Sequence, residues 1–286
     1  MSFGPNPWLQ RSWDARAAGN FMFGGAGAGL LAFTALSGWR GPVATALWLA
    51  GMALVSGGLL LVWLEIGRPW RALNVFANPR TSWMSREAYV AVALLLLCAL
   101  AALQVASYAG PVAVLALAFV YCQARILRQA RGIPAWREPM TTPLVMISGL
   151  AEGGGLFCAA WAVAAGGRPT ALGAFAAALL ARTLLARMWR ARLAAAWSPR
   201  PRRTLESTVA ALWHWGGLLP LALLFAPAVL PLPDAVRVVA MAVAGVLAAA
   251  AGQRFKYLLV TRAAFNQGFA LTQLPVRGVR RAPNPS

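Results

Sequence analysis

The sequence predicts an all-α integral membrane protein with about eight spans, and three observations carry that prediction. Of the 286 residues, 60% are apolar and 12% charged, against about 25% charged in soluble domains. Several apolar runs reach about 18 to 22 residues, the length that crosses a hydrocarbon core of about 30 Å. Short Gly/Pro breaks between runs alternate with longer, arginine-rich connections.

The runs predict spans at 20–39, 43–64, 88–106, 111–127, 143–165, 169–188, 207–226 and 235–251. Breaks at 38–42, 107–111, 166–169 and 227–234 read as hairpins. The whole chain, 1–286, is then one membrane domain. It has an N-tail over 1–19, an eight-helix region over 20–251 and a C-tail over 252–286. All but Arg40, Arg168 and Arg237 of the 26 basic residues lie away from the hairpins, on the tails, the other connections and the adjoining helix ends. The positive-inside rule puts that side, and both termini, in the cytoplasm. Trp39, Trp63, Trp70, Trp83, Trp136, Trp189 and Trp197 fall near span ends, as an aromatic belt would place them. Glycine-rich stretches at 24–29 and 149–155 are alike. They mark either two four-helix bundles or small residues that let helices approach. The N-terminus has no apolar stretch after its charges and no small-residue cleavage signal, so no removed signal peptide is expected.

The formal charge of +19 does not read as a nucleic-acid footprint, because the arginines lie between apolar spans. Cys98, Cys122 and Cys158 all fall inside apolar runs and form no CxxC pair. No disulfide framework, zinc site or iron–sulfur ligation is expected, and a lone His excludes bis-His haem.

Ionisable residues inside spans carry the functional signal, since each is costly unless paired or hydrated. Glu152 lies fifteen residues before Gly167 and Arg182 fifteen after it, so an antiparallel hairpin brings them to one depth. They form either a packing ion pair or a proton relay. The same mirror argument about Gly41 sets Asn20 near 61–63, where it could share a shallow pocket with Glu65. His214, about two turns into span seven, is either a packing residue or a ligand-binding one. Gln104 and Thr45 are the main polar groups of the outer half, which suits a site open to the cytoplasmic side alone.

The connection after span two reads LEIGRPWRALNVFANPRTSWMSRE over 64–87. It resembles the corresponding stretch of the NrfD/PsrC/DmsC family, the membrane subunits of molybdopterin oxidoreductase complexes. The segments FKYLLVTRAAFNQGF over 255–269 and WDARAAGNF over 13–21 resemble that family's two ends. The latter is most similar to the subgroup serving cytoplasmic sulfite dehydrogenases and phenylacetyl-CoA:acceptor oxidoreductases. The resemblance implies an eight-helix anchor that binds a quinone, menaquinone or ubiquinone, as exchangeable substrate. Its electrons would come from a ferredoxin-like, four-cluster iron–sulfur subunit and a molybdopterin catalytic subunit. Glu65 occupies the family's quinone-site position before GRP, and Asn20 lies where the first helix lines that pocket. Arg68, Trp83 and His214 complete the expected quinone-binding set. Arg71, Arg80, Arg86, Arg125 and Arg128, with Arg131, form either a docking face for the partner or a topology and headgroup signal. Ser82–Ser85 read as a cap on span three.

Overall fold

The computed structural model describes residues 7–66, 69–103, 108–164, 169–194 and 199–266. Among these, eight helices are long and apolar enough to cross a bilayer: Ala15–Ser37, Pro42–Glu65, Trp83–Ala102, Ala109–Gln129, Thr141–Ala162, Thr170–Leu193, Thr204–Pro227 and Asp234–Thr261. The chain is an all-α, multi-pass membrane protein, and these helices are its spans one to eight.

Local chemistry sets the ends. Gly38 closes span one in the left-handed region (φ 69°), Gly41 turns again (φ 77°), and Pro42 opens span two, where a missing N–H costs nothing. The Ser82 hydroxyl accepts from Ser85 N–H at 3.3 Å and starts span three at Trp83, not 88. Glu87 therefore sits inside the helix. Span eight continues to Thr261, ten residues past the expected 251, because Phe255, Lys256, Leu259 and Val260 present one buried face to the bundle.

Spans one and five form the centre. The most apolar stretch of span one is 83% buried, against 28% for spans two, three and seven. Span one packs on spans two, four and five; span five packs also on four, six and eight. The two glycine-rich stretches meet face to face. A Cβ on Gly29 would strike the Gly149 carbonyl, and one on Gly153 would strike the Gly29 backbone. Gly155 and Gly245 bring spans five and eight together in the same way.

The described ends of the chain pair with each other. Gln10 N–H donates to Ala264 O and Asn266 N–H to Trp8 O, both at 3.0 Å. Trp136 and Trp189, expected in the aromatic belt, are core residues instead. Trp136 Nε1 donates to Leu259 O at 2.9 Å, and Trp189 Nε1 to Thr141 Oγ1 at 2.7 Å. A short helix, Pro134–Arg137, folds Trp136 under Trp13 and closes this end of the bundle. Trp70 and Trp63 are exposed, while Trp197 lies outside the described residues.

Candidate functional site

Among the described residues, the buried carboxylate, amide and cationic side chains of the spans fall in two linked clusters around span one. The first joins spans one, three and four. Glu87, Asn20 and Gln123 are only 4%, 3% and 1% exposed. Asn20 Nδ2 donates to Glu87 Oε1 at 3.4 Å, and Gln123 Nε2 donates to the Asn20 carbonyl at 2.9 Å. Gln123 also hydrogen-bonds the Glu87 carboxylate. Gly58 and Gly24 supply the room: a Cβ at Gly58 would crowd Asn20, and one at Gly24 would crowd Gln123. Asn20 Oδ1 is buried and accepts no hydrogen bond from the described residues.

The second cluster joins spans five, six, seven and eight to span one. Lys256 Nζ lies 3.0 Å from Glu152 Oε2, and both are fully buried. Lys256 also donates to Phe21 O at 2.9 Å, and Gln253 Nε2 donates to Met22 O at 2.9 Å and Glu152 Oε2 at 2.5 Å. Arg182 donates to Ala248 O at 2.9 Å and to Gly216 O. Glu152 Oε1 and Arg182 Nε have no hydrogen-bond partner among the described residues. Side chains lean toward the N-terminus of their own helix. Spans five and eight run in opposite directions, so Glu152 and Lys256 lean toward each other although Lys256 lies near the end of its helix.

Backbone irregularity makes these contacts possible. The helical ladder widens to π geometry over Asn20–Gly24 and again over His214–Leu218. In the first turn, three successive carbonyls (Asn20, Phe21 and Met22) accept from Gln123, Lys256 and Gln253. In the second, Pro220 has no N–H to give to Gly216 O four residues earlier, and Arg182 takes that carbonyl instead. Short π segments of this kind recur at functional sites. The clusters meet at Gly25, where a Cβ would touch both Lys256 Nζ and Gln123 Oε1. A line of polar groups therefore runs from Glu87 near one helix start to Arg182 at the middle of span six. Two carboxylates and two cations lie along it, so their formal charges cancel.

The expected residues divide. Asn20, Glu152 and Arg182 are in these clusters. Glu152 and Arg182 flank Gly252, but the ion-pair partner of Glu152 is Lys256, not Arg182. Glu65 does not share a pocket with Asn20. It is half-buried at the end of span two, beside the Asp14–Arg16 ion pair, whereas Asn20 lies against Gly58. Seven residues separate Gly58 from Glu65, about 10 Å of helix. His214 is exposed and lines a shallow groove outside span seven with Ser207, Ala210 and Trp215. Trp83 carries the guanidiniums of Arg86 and Arg125 over its ring, at 4.2 and 4.5 Å, near the Glu87 cluster. Arg86 further donates to the Pro79 and Arg80 carbonyls, and Arg125 to the Tyr121 hydroxyl. Arg71 and Arg80 are exposed and Arg128 half-buried; Arg68 lies outside the described residues.

Sequence reasoning passed over Glu87, Lys256 and Gln253, which sat just beyond the expected spans. Two signals were present: Ser82 as a cap, which puts Glu87 in the second turn, and a lone Lys among 25 arginines. The described residues contain no group of three or more His, Cys, Asp or Glu placed to hold a metal. No protein-family model matches the chain, and no curated protein matches it.

Proposed function

We propose that this chain is the membrane anchor and quinone-binding subunit of a molybdenum/iron–sulfur oxidoreductase of the NrfD/PsrC/DmsC type. One observation carries the reading. The stretch that resembles the family ends on Glu87, and that carboxylate is buried against Asn20 and Gln123, beside an unpartnered amide oxygen. Quinone reduction needs two electrons and two protons at one place. Protonated Glu87 can donate to a quinone carbonyl and hand on that proton, and the open Asn20 Oδ1 can accept from the quinol hydroxyl that forms. Electrons arrive from a docked iron–sulfur subunit, itself fed by a molybdopterin subunit. The basic side faces the bacterial cytoplasm by its charge, with the soluble partners and both termini there. The ring of contacts among spans one to four, and again among five to eight, favours two four-helix bundles. Sulfite is the favoured primary substrate, with phenylacetyl-CoA as the alternative; the catalytic subunit selects between them.

The test is Glu87→Gln in the purified, assembled complex. Quinone reduction falls by about 10²-fold or more, while the primary substrate still reduces the iron–sulfur clusters. An unchanged quinone rate rejects the site and leaves a bare anchor. A pull-down lacking a molybdopterin and a ferredoxin-like subunit rejects the family reading.

The line of polar groups continuing from Gln123 to Lys256 and Glu152 favours a second reading, proton translocation coupled to quinone chemistry. Assembled Glu152→Gln complex in proteoliposomes would keep quinone turnover and lose proton release. Unaltered release sinks the relay.

A further inference from the structure

The described part of the connection between spans two and three packs on the neighbouring ends of those spans. It contains a 3₁₀ helix, Pro69–Ala77, and a helix of three residues per turn has three faces. Ala72 and Val75 make the inner face and are half-buried. Arg71 and Asn74 make a polar outer face and are exposed. Trp70 and Leu73 make an apolar outer face and are 92% and 74% exposed.

The height of this helix follows from its end. Phe76 packs edge-on against Tyr89, ring centroids 5.2 Å apart, and Tyr89 Oη donates to Phe76 O at 3.0 Å. Tyr89 is six residues beyond the start of span three, about 9 Å along the helix axis. Leu60, Leu64 and Met84, at the neighbouring ends of spans two and three, are themselves exposed apolar side chains. Arg86 fixes the way back into span three by binding the Pro79 and Arg80 carbonyls at 2.8 and 2.7 Å.

We infer that Pro69–Ala77 is an interfacial segment whose Trp70–Leu73 face is immersed at the headgroup–acyl boundary of the bilayer, while Arg71 and Asn74 face water. An amphipathic segment in the interface immerses its apolar side, and the Tyr89 ring, leaning back toward the start of span three, holds Phe76 beside the first turns of that span. Tryptophan is also the residue best suited to that zone, with an apolar body and one N–H for the headgroups. The arginine on the adjoining face meets lipid phosphate or solvent. This inference needs the chain to cross a membrane and is independent of the quinone reading.

Nitroxide labels on the full-length protein test it, in vesicles of phosphatidylethanolamine and phosphatidylglycerol. The native cysteines are buried, and an unlabelled wild-type control establishes that they do not react. Leu73→Cys and Asn74→Cys are labelled separately, both at exposed positions that leave the fold intact. The ratio of collisions with oxygen to collisions with a water-soluble nickel chelate should be several-fold higher at 73 than at 74. Equal ratios at the two positions, whether both wet or both lipid-like, overturn the inference. So does a label at 73 that is wet in the isolated chain and occluded only when soluble protein partners are added; that outcome makes the face a protein-docking surface.

Discussion

The two buried clusters handle charge in opposite ways. Glu152 sits among two cations, with Lys256 in direct contact and Arg182 beside Gly252. Glu87 has only the amides of Asn20 and Gln123. The Glu152 cluster thus carries one cation too many and the Glu87 cluster one anion too many, and the π turn at Asn20–Gly24 lies between them. Loss of a charge at Glu152 strands cations in a dry interior, whereas neutralising Glu87 strands nothing. The Glu152 cluster ties the bundle together through its charges, whereas the Glu87 cluster can lose its charge and stay paired.

The largest effect expected from this contrast is at Lys256. Lys256→Met leaves Glu152 without its ion pair, and breaking such a buried pair costs about 3–5 kcal/mol. The measurement is the thermal midpoint and yield of the folded chain in detergent. Glu152→Gln combined with Lys256→Met removes both charges and should recover much of that loss, giving a coupling of at least about 1 kcal/mol in a double-mutant cycle. Additive losses would mean that the two side chains act independently and that the contrast is misdrawn.

Glu87→Gln supplies the other side of the comparison. Glutamine keeps the shape and an acceptor for Asn20, so stability should change by no more than about 1 kcal/mol. A loss as large as that at Lys256 would make Glu87 a structural charge too.

Intermediate between these is the glycine contact on which both clusters hang. Gly29→Ala sets a methyl against the Gly149 carbonyl and the Gly153 Cα, forcing spans one and five apart at about 1–3 kcal/mol. Gly57→Ala is the control, since nothing lies within 4 Å of a Cβ there. Similar midpoints for the two variants would show that spans one and five yield at their crossing.

The eight helices were legible because bilayer thickness fixes the length of an apolar run. The site was legible only where a polar residue interrupts such a run, as Asn20, Glu152 and Arg182 do. Glu87 and Lys256 stand at the edges of runs, where a hydropathy reading stops at the first charge and takes them for cap and tail. The π turns have no signature in residue spacing, so the three carbonyls that bind Gln123, Lys256 and Gln253 could not be foreseen. Mirror arguments about a hairpin give the level of a residue and not its face. Asn20 and Glu65 were joined by level, but Asn20 turns to span three, and Glu65 stays with Asp14 and Arg16 at the surface. Composition likewise cannot tell a belt tryptophan from one such as Trp136, which a four-residue helix tucks into the core.

The smallest effect belongs to His214, an ionisable side chain outside both clusters although its helix serves one of them. The π turn it begins delivers Gly216 O to Arg182 through backbone alone, and the imidazole itself points into the outer groove beside Trp215. His214→Leu should therefore leave stability within about 0.5 kcal/mol and leave the Arg182 contact in place. On the proposed quinone-binding reading, it should also leave quinone reduction at Glu87 unaltered in the assembled complex. A fall in quinone turnover at constant stability would move the quinone to the outside of span seven, into the groove and away from the amide-lined carboxylate.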